Sequence, residues 1–324
     1  MLSVPEYREE FISFLEKKPI PNAPEGLYSP ISYILNLGGK RLRPVLTLLT
    51  ASIFDGDYKN AMNAALAIET FHNFSLMHDD IMDEAPLRRG KITVHEKWNL
   101  NTGILSGDAM LILAYQLFEN YEDRIFKDLA ILFSKTALEV CEGQQFDMDF
   151  ETREDVTITE YLKMITYKTA VLVAAAMKMG AIVAETNEEN ANLIYDFGLN
   201  LGIAFQIQDD YLDTFGDPEK FGKQVGGDII ESKKTFLYLA VEQNGAKENV
   251  EELRMLFSIM PKNPKEKIRA VKEIYNKSGA SESTEKEIEK YTLKAFSVLE
   301  KLDIKEEKKQ VLKTFGIDLM QRSV

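Results

Sequence analysis

The chain has 324 residues, 45% hydrophobic and 28% charged, the balance of a globular protein with enough apolar mass for a large core. Its 39 basic residues against 52 acidic ones leave a net charge of −13, which excludes a general nucleic-acid binder, because such affinity comes from basic surface. The one cysteine, Cys141, excludes an intrachain disulfide and a Cys-rich zinc site and fits a reducing, cytoplasmic setting.

Met1 to Phe11 is acidic and lacks the apolar run of a signal peptide. Gly38-Gly39-Lys40-Arg41-Leu42-Arg43-Pro44 places three cations between a double glycine and an apolar helix. Asp57 reads as the N-cap of a helix running to Asp83 and stopped by Pro86. The middle of that helix, Ala64-Ala65-Leu66-Ala67-Ile68, is apolar on every face and belongs inside the fold. Helical stretches follow at 103–121, 124–150, 158–185 and 188–215, the last stopped by Gly216-Asp217-Pro218. No segment alternates with period two between hairpin turns, so β structure is expected to be negligible. Beyond Lys234 the chain is Lys/Glu-rich with apolar periodicity, as at 285–302, which predicts shorter amphipathic helices outside a central bundle. The longest apolar runs, such as 109–115 and 171–177, fall short of the roughly 20 residues that span a bilayer. With no low-complexity linker, the expectation is one all-α domain over residues 1–324.

Two of these helices end in the same pattern: Asp79-Asp80-Ile81-Met82-Asp83 and Asp209-Asp210-Tyr211-Leu212-Asp213. Helical spacing stacks Asp79 on Asp83 and Asp209 on Asp213, at helix ends that are already partially negative. A like-charge pair at about 4 Å costs up to roughly 4 kcal/mol at an effective dielectric near 20. A cation is therefore expected, and oxygen-only ligands suit Mg²⁺. Neither segment has the glycine and glutamate of an EF-hand loop.

Cations surround these clusters in sequence. Arg88-Arg89-Gly90 follows the first, Lys168-Thr169 lies within a helix, and Lys223 sits in the glycine-rich stretch 222–227 with Lys233 and Lys234 beyond. Together they read as two anion sites, one acting through carboxylate-held Mg²⁺ and one through Lys and Arg directly. Phe71, Phe74 and Leu76 precede the first cluster, and Ile203, Phe205 and Ile207 the second. An apolar shaft capped by metal suits a substrate with a diphosphate head and a hydrocarbon tail.

Five segments resemble the trans-isoprenyl diphosphate synthases, or polyprenyl synthetases: residues 38–44, FHNFSLMHDDIMDEAPLRRG at 71–90, YKTA at 167–170, FQIQDDYLD at 205–213 and GKQVGGDIIESK at 222–233. The resemblance implies an all-α bundle around a deep central cavity, the isoprenoid synthase type I fold, in a homodimer. It implies that Asp79, Asp83 and Asp209 ligate about three Mg²⁺, with Asp80, Asp210 and Asp213 in or just behind the coordination shell. Arg88, Lys168, Lys223 and Lys233 would hold an allylic diphosphate; Lys40, Arg43, His72 and Arg89 would hold isopentenyl diphosphate. Thr169 and Gln206 would lie beside the reacting carbons. The implied reaction is ionisation of the allylic diphosphate, attack by the isopentenyl double bond, and proton loss to the released diphosphate.

In that family, residues just before the first aspartate floor the growing product. Here they are Phe74 and Ser75, with Phe71 a turn deeper, and one aromatic at this place resembles C15–C20 synthases. A terpene cyclase, a non-catalytic partner subunit and a metal-buffering bundle are the rivals. Two intact DDxxD motifs with their cationic partners argue against all three.

Overall fold

The computed structural model describes residues 1–217 and 226–321. They form two compact units, 1–135 with 175–192, and 136–174 with 193–324. Three helices, α7 (Asp123–Thr152), α9 (Val171–Val183) and α10 (Glu188–Phe215), contribute residues to both.

The first unit adds α1 (Val4–Lys17), α2 (Glu25–Leu35), α3 (Leu42–Ile53), α4 (Met62–Met82), α5 (Val94–Lys97) and α6 (Leu100–Gln116). Its spine is α4, packed on α3 and α6, and Ala64 through Ile68 are all buried, as expected of a segment with no polar face. Asp57 caps a single 3₁₀ turn, Tyr58–Ala61, by accepting from the Lys59 N–H at 3.0 Å; that turn leads into α4. The backbone of α9 touches that of α3: a Cβ at Gly180 would lie 2.2 Å from the Thr47 carbonyl oxygen, and the Thr47 hydroxyl donates to the Ala176 carbonyl at 2.8 Å.

Among the described residues, β structure is as slight as expected and comes down to one hairpin after α4. Leu87–Arg88 (β1) pairs with Lys91–Ile92 (β2) across Arg89 (φ +53°) and Gly90 (φ +72°). Two successive left-handed residues make the tight turn that matches strand twist. Strands of two residues are too short to show alternation, so the sequence pattern could not reveal them.

The second unit begins in α7 and continues through α8 (Ile158–Ile165), whose start is fixed by a capping box of Thr157 and Glu160. The helix expected at 158–185 is interrupted: Thr166–Ala170 forms one π turn between α8 and α9. The stretch 158–183 is, taken whole, long and apolar enough to cross a membrane, unlike the short runs seen in the sequence, yet 67% of its most apolar window is buried inside the protein. After α10 come Gly227–Ile230, Phe236–Asn244, Lys247–Phe257, Lys265–Lys277, Ala280–Leu299 and Glu306–Met320. Amphipathic helices are expected beyond Lys234, and the helix at 236–244 is not one of them. Phe236 through Val241 are all buried, because Phe-Leu-Tyr-Leu-Ala-Val offers no polar face.

Candidate active site

In the first unit, Gly38 (φ +81°), Gly39 (φ +119°) and Arg41 (φ +52°) turn the chain between α2 and α3. The three cations here divide their work. Arg41 points inward, only 6% exposed, where it pairs with Glu69 at 2.5 Å and donates to the Leu35 carbonyl. Asn73 also holds Glu69, so Arg41 anchors the loop to α4. Arg43 instead has its Nη1 3.2 Å from Nε2 of His72, and its Nε is buried with no hydrogen-bond partner. Lys40 is exposed.

Arg89 reaches this loop from the hairpin. Its guanidinium lies against Gly39, where a Cβ would sit 2.7 Å from Cζ, and it donates to the Gly38 carbonyl. The double glycine therefore serves close approach of an arginine as well as left-handed backbone. Burial pushes the Arg43 pKa down to about 10, with Glu69 opposing and Arg89 assisting. His72 is held well below the ordinary histidine range by burial and then by Arg43, Arg89, Arg88 and Arg41. Burial and Arg41 lower Arg89 as well. Cations that depress one another's protonation favour an arriving anion.

Along the last turn of α4, the Asp83 N–H donates to the Asp79 carbonyl at 2.9 Å. Asp80 is 2% exposed and meets Arg88 through Nε at 2.7 Å and Nη2 at 2.6 Å. Burial raises the Asp80 pKa, Arg88 opposes, and Asp79 adds to the rise. Arg88 also comes within 3.6 Å of Asp79, while Asp83 is exposed. The hairpin thus sends adjacent arginines to two tasks, Arg88 to the aspartates and Arg89 to the glycine loop.

The rings of Phe71 and Phe74 meet at a tilt along α4, 5.4 Å apart, and Phe71 meets Phe133 of α7 at 5.1 Å. Phe133 in turn meets Tyr115 at 4.7 Å, forming a continuous aromatic cluster under the motif. The Ser75 hydroxyl donates to its own helix at the His72 carbonyl, 2.9 Å away. His78 has Nε2 3.1 Å from the Ile104 carbonyl and fits because Gly107 lacks a side chain.

In the second unit the π turn carries Lys168 and Thr169. Lys168 Nζ lies 2.5 Å from Asp147 of α7. Thr169 donates to Gln206 Oε1 at 3.0 Å, Gln206 Nε2 donates to Asp210 at 2.8 Å, and the Tyr161 hydroxyl donates to Asp210 at 2.6 Å. This chain fixes the amide of Gln206 with its oxygen toward Thr169. Asp213 accepts from the Asp228 N–H at 2.9 Å through its side chain and from the Gly226 N–H at 2.6 Å through its carbonyl. Asp209 is half-buried. Burial raises Asp210 and Asp228, each reinforced by the other carboxylates nearby. Burial works against the charge on Lys233, but Glu231 at 3.0 Å and Asp228 outweigh it and raise its pKa. Lys234 donates to the Phe150 and Glu151 carbonyls at the end of α7. Lys223 lies outside the described residues, as does most of the glycine-rich stretch around it.

Three residues of this arrangement escape sequence reasoning: Asp147, Tyr161 and Asp228. Asp147 had a signal, since Gly143 and Asp147 share one face of α7 at i, i+4. Tyr161 and Asp228 had none, because their partners lie 49 and 15 residues away.

Residues 24–277 match the family model for polyprenyl synthetase. A geranylgeranyl diphosphate synthase of Methanosarcina mazei is 42% identical over 227 residues, 69% of this chain and 70% of that one. A geranylfarnesyl diphosphate synthase of Natronomonas pharaonis is 39% identical over 257 residues, 74% and 75% of the two chains. The crystal structure of a geranylgeranyl pyrophosphate synthase superposes with a TM-score of 0.96 at 54% identity, covering 99% of both chains, so the all-α isoprenoid synthase fold extends over the whole described chain. With a family model spanning most of its length and relatives at this identity, the chain belongs to the polyprenyl synthetase family.

Proposed function

We propose that this protein condenses isopentenyl diphosphate head-to-tail with an allylic diphosphate, dimethylallyl, geranyl or farnesyl, to give an all-trans C15–C20 prenyl diphosphate. The observation that carries the reading is the gathering of Arg43 and Arg89 with His72 at the Gly38–Gly39 loop, His72 lying on the helix that ends in an intact DDxxD motif. It pairs a metal-free anion site with carboxylates suited to a metal-held one. The family and the relatives' names support the same chemistry.

Asp79, Asp83 and Asp209 are oxygen donors of the type Mg²⁺ takes, and among the described residues no three such side chains converge on one point. These three side chains would hold Mg²⁺, as hard oxygen donors do. When bound, Mg²⁺ neutralises charge on a departing diphosphate. Asp80, Asp210 and Asp213 stand behind these ligands.

The protein's own groups do the rest. Arg88, Lys168, Lys223 and Lys233 bind the allylic diphosphate; Lys40, Arg43, His72 and Arg89 bind isopentenyl diphosphate. The allylic C–O bond breaks and diphosphate leaves with the electron pair. Thr169 and Gln206 present oxygen dipoles that stabilise an allylic cation without capturing it, because both are already engaged with each other. The isopentenyl double bond attacks, and the resulting tertiary cation loses a proton to the released diphosphate.

Phe74, Ser75 and Phe71 set product length, with C20 favoured. The aromatic cluster behind Phe71 gives that floor rigid support. Leu105 and Ile112 on α6 are each more than 60% exposed at i, i+7, a solvent-facing aliphatic stripe that suits a second copy of the chain in a homodimer. Exposed Cys141 fits a reducing cytoplasm.

The test is incubation with isopentenyl diphosphate, Mg²⁺ and each allylic primer, with the dephosphorylated alcohols separated by chromatography. Elongation to C15–C20 is expected, and no elongation from any primer overturns the assignment. Phe74→Ala should lengthen the product, whereas an unchanged product removes Phe74 from the floor.

A further inference from the structure

Lys168 does not sit on a regular helix. It lies within the π turn Thr166–Ala170, and two glycines from different helices let that turn exist. A Cβ at Gly143 of α7 would lie 2.2 Å from the Lys168 amide nitrogen and 2.7 Å from Tyr167 carbonyl carbon. A Cβ at Gly202 of α10 would lie 2.9 Å from Ala170 Cα. The obstructing atoms are backbone, so neither contact could be relieved by a side-chain rotation. The π turn is thus enclosed on both sides. Such single turns occur most often at functional sites.

The face of α7 that admits the turn also supplies a charge to it. Asp147 lies one helical turn beyond Gly143, on the same face, and its Oδ2 is 2.5 Å from Lys168 Nζ. The two side chains are 27% and 29% exposed, so the pair is partly shielded from water. A lysine stem has four rotatable bonds and a loosely directed ammonium. A carboxylate that holds the ammonium at one point removes that freedom before substrate arrives. The ammonium has three N–H donors, so a bond to Asp147 is compatible with donation to a phosphate oxygen.

We infer that Asp147 is a positioning residue that fixes Lys168 for the allylic diphosphate, making the Gly143–Asp147 face of α7 part of that substrate's site. This rests on the prenyl-transfer reading given above. Asp147 touches the lysine, not the reacting carbons, so its effect belongs in the binding of one substrate.

Steady-state kinetics with Mg²⁺ on the wild type, Asp147→Asn, Asp147→Glu, Lys168→Ala and the Asp147→Asn/Lys168→Ala double variant tests this. Asp147→Asn should raise KM for the allylic diphosphate about tenfold and leave KM for isopentenyl diphosphate within about twofold. Asp147→Glu should recover most of the loss, and Asp147→Ala replaces the amide variant if that one does not fold. With Lys168 already alanine, Asp147→Asn should change the allylic KM by less than about twofold. An unchanged allylic KM in Asp147→Asn overturns the inference. So does an equal rise in both KM values, or full additivity in the double variant. A wild type that elongates no primer would instead defeat the prenyl-transfer reading.

Discussion

Asp80 and Asp210 hold the same place in two copies of one motif. Asp80 meets a guanidinium at 2.6 Å, whereas Asp210 meets a phenol at 2.6 Å and an amide at 2.8 Å. Arg88 also reaches Asp79, so the first motif has part of its charge offset within its own unit. The second is bound by neutral donors, and burial drives Asp210 toward its protonated form, with Asp209 adding to the effect. Identical letters thus carry different electrostatics, set by a hairpin after α4 in one case and by α8 in the other. The first motif is the more dependent on one side chain. The second spreads its support over several.

The largest expected effect is chemical and tests what the motifs share. Asp79→Ala should lower kcat by at least about 100-fold, as removal of a group that stabilises developing charge does. In EDTA the variant should melt no lower than wild type, because repulsion from Asp83 goes with it; a lower melting point would show that attraction to Arg88 dominates. The next effect separates the motifs. Arg88→Met leaves Asp80 buried without its cation and should cost about 3–5 kcal/mol in chemical denaturation. Tyr161→Phe removes one of two donors to Asp210 and should cost about 1–3 kcal/mol. Equal costs would mean that the two motifs are supported alike, and the contrast would fail.

The helices were legible wherever a long apolar period ran uninterrupted: α10 occupies Glu188–Phe215, the span expected from sequence. The aspartate motifs were legible because i, i+4 spacing fixes which carboxylates stack. What escaped was decided by close approach. The π turn at 166–170 depends on Gly143 and Gly202, which are remote in sequence and unremarkable in a helical pattern. The hairpin depends on left-handed φ at Arg89, a residue with no special preference for it. The run Lys40-Arg41-Leu42-Arg43 offered Lys40 and Arg43 to substrate and gave Arg41 no role, and only burial shows that Arg41 turns inward to Glu69. Local pattern names the elements, and pairwise contacts over long separations assign the roles.

The smallest predicted effect asks whether His72 stays neutral in the fold. Burial, and after it the charges of Arg43, Arg89, Arg88 and Arg41, hold the His72 pKa below that of the unfolded chain. The unfolded histidine titrates near 6.5, so the stability it contributes is fully present above that pH and is lost as pH falls toward the folded value. Between pH 6.5 and 5.5 a histidine kept neutral in the fold loses about 1 kcal/mol. His72→Gln keeps an acceptor for Arg43 and removes the titration. Its unfolding free energy should therefore fall by about 1 kcal/mol less than that of the wild type over this interval. If the two fall together, His72 takes its proton in the folded state, and neither burial nor the arginines depress its pKa.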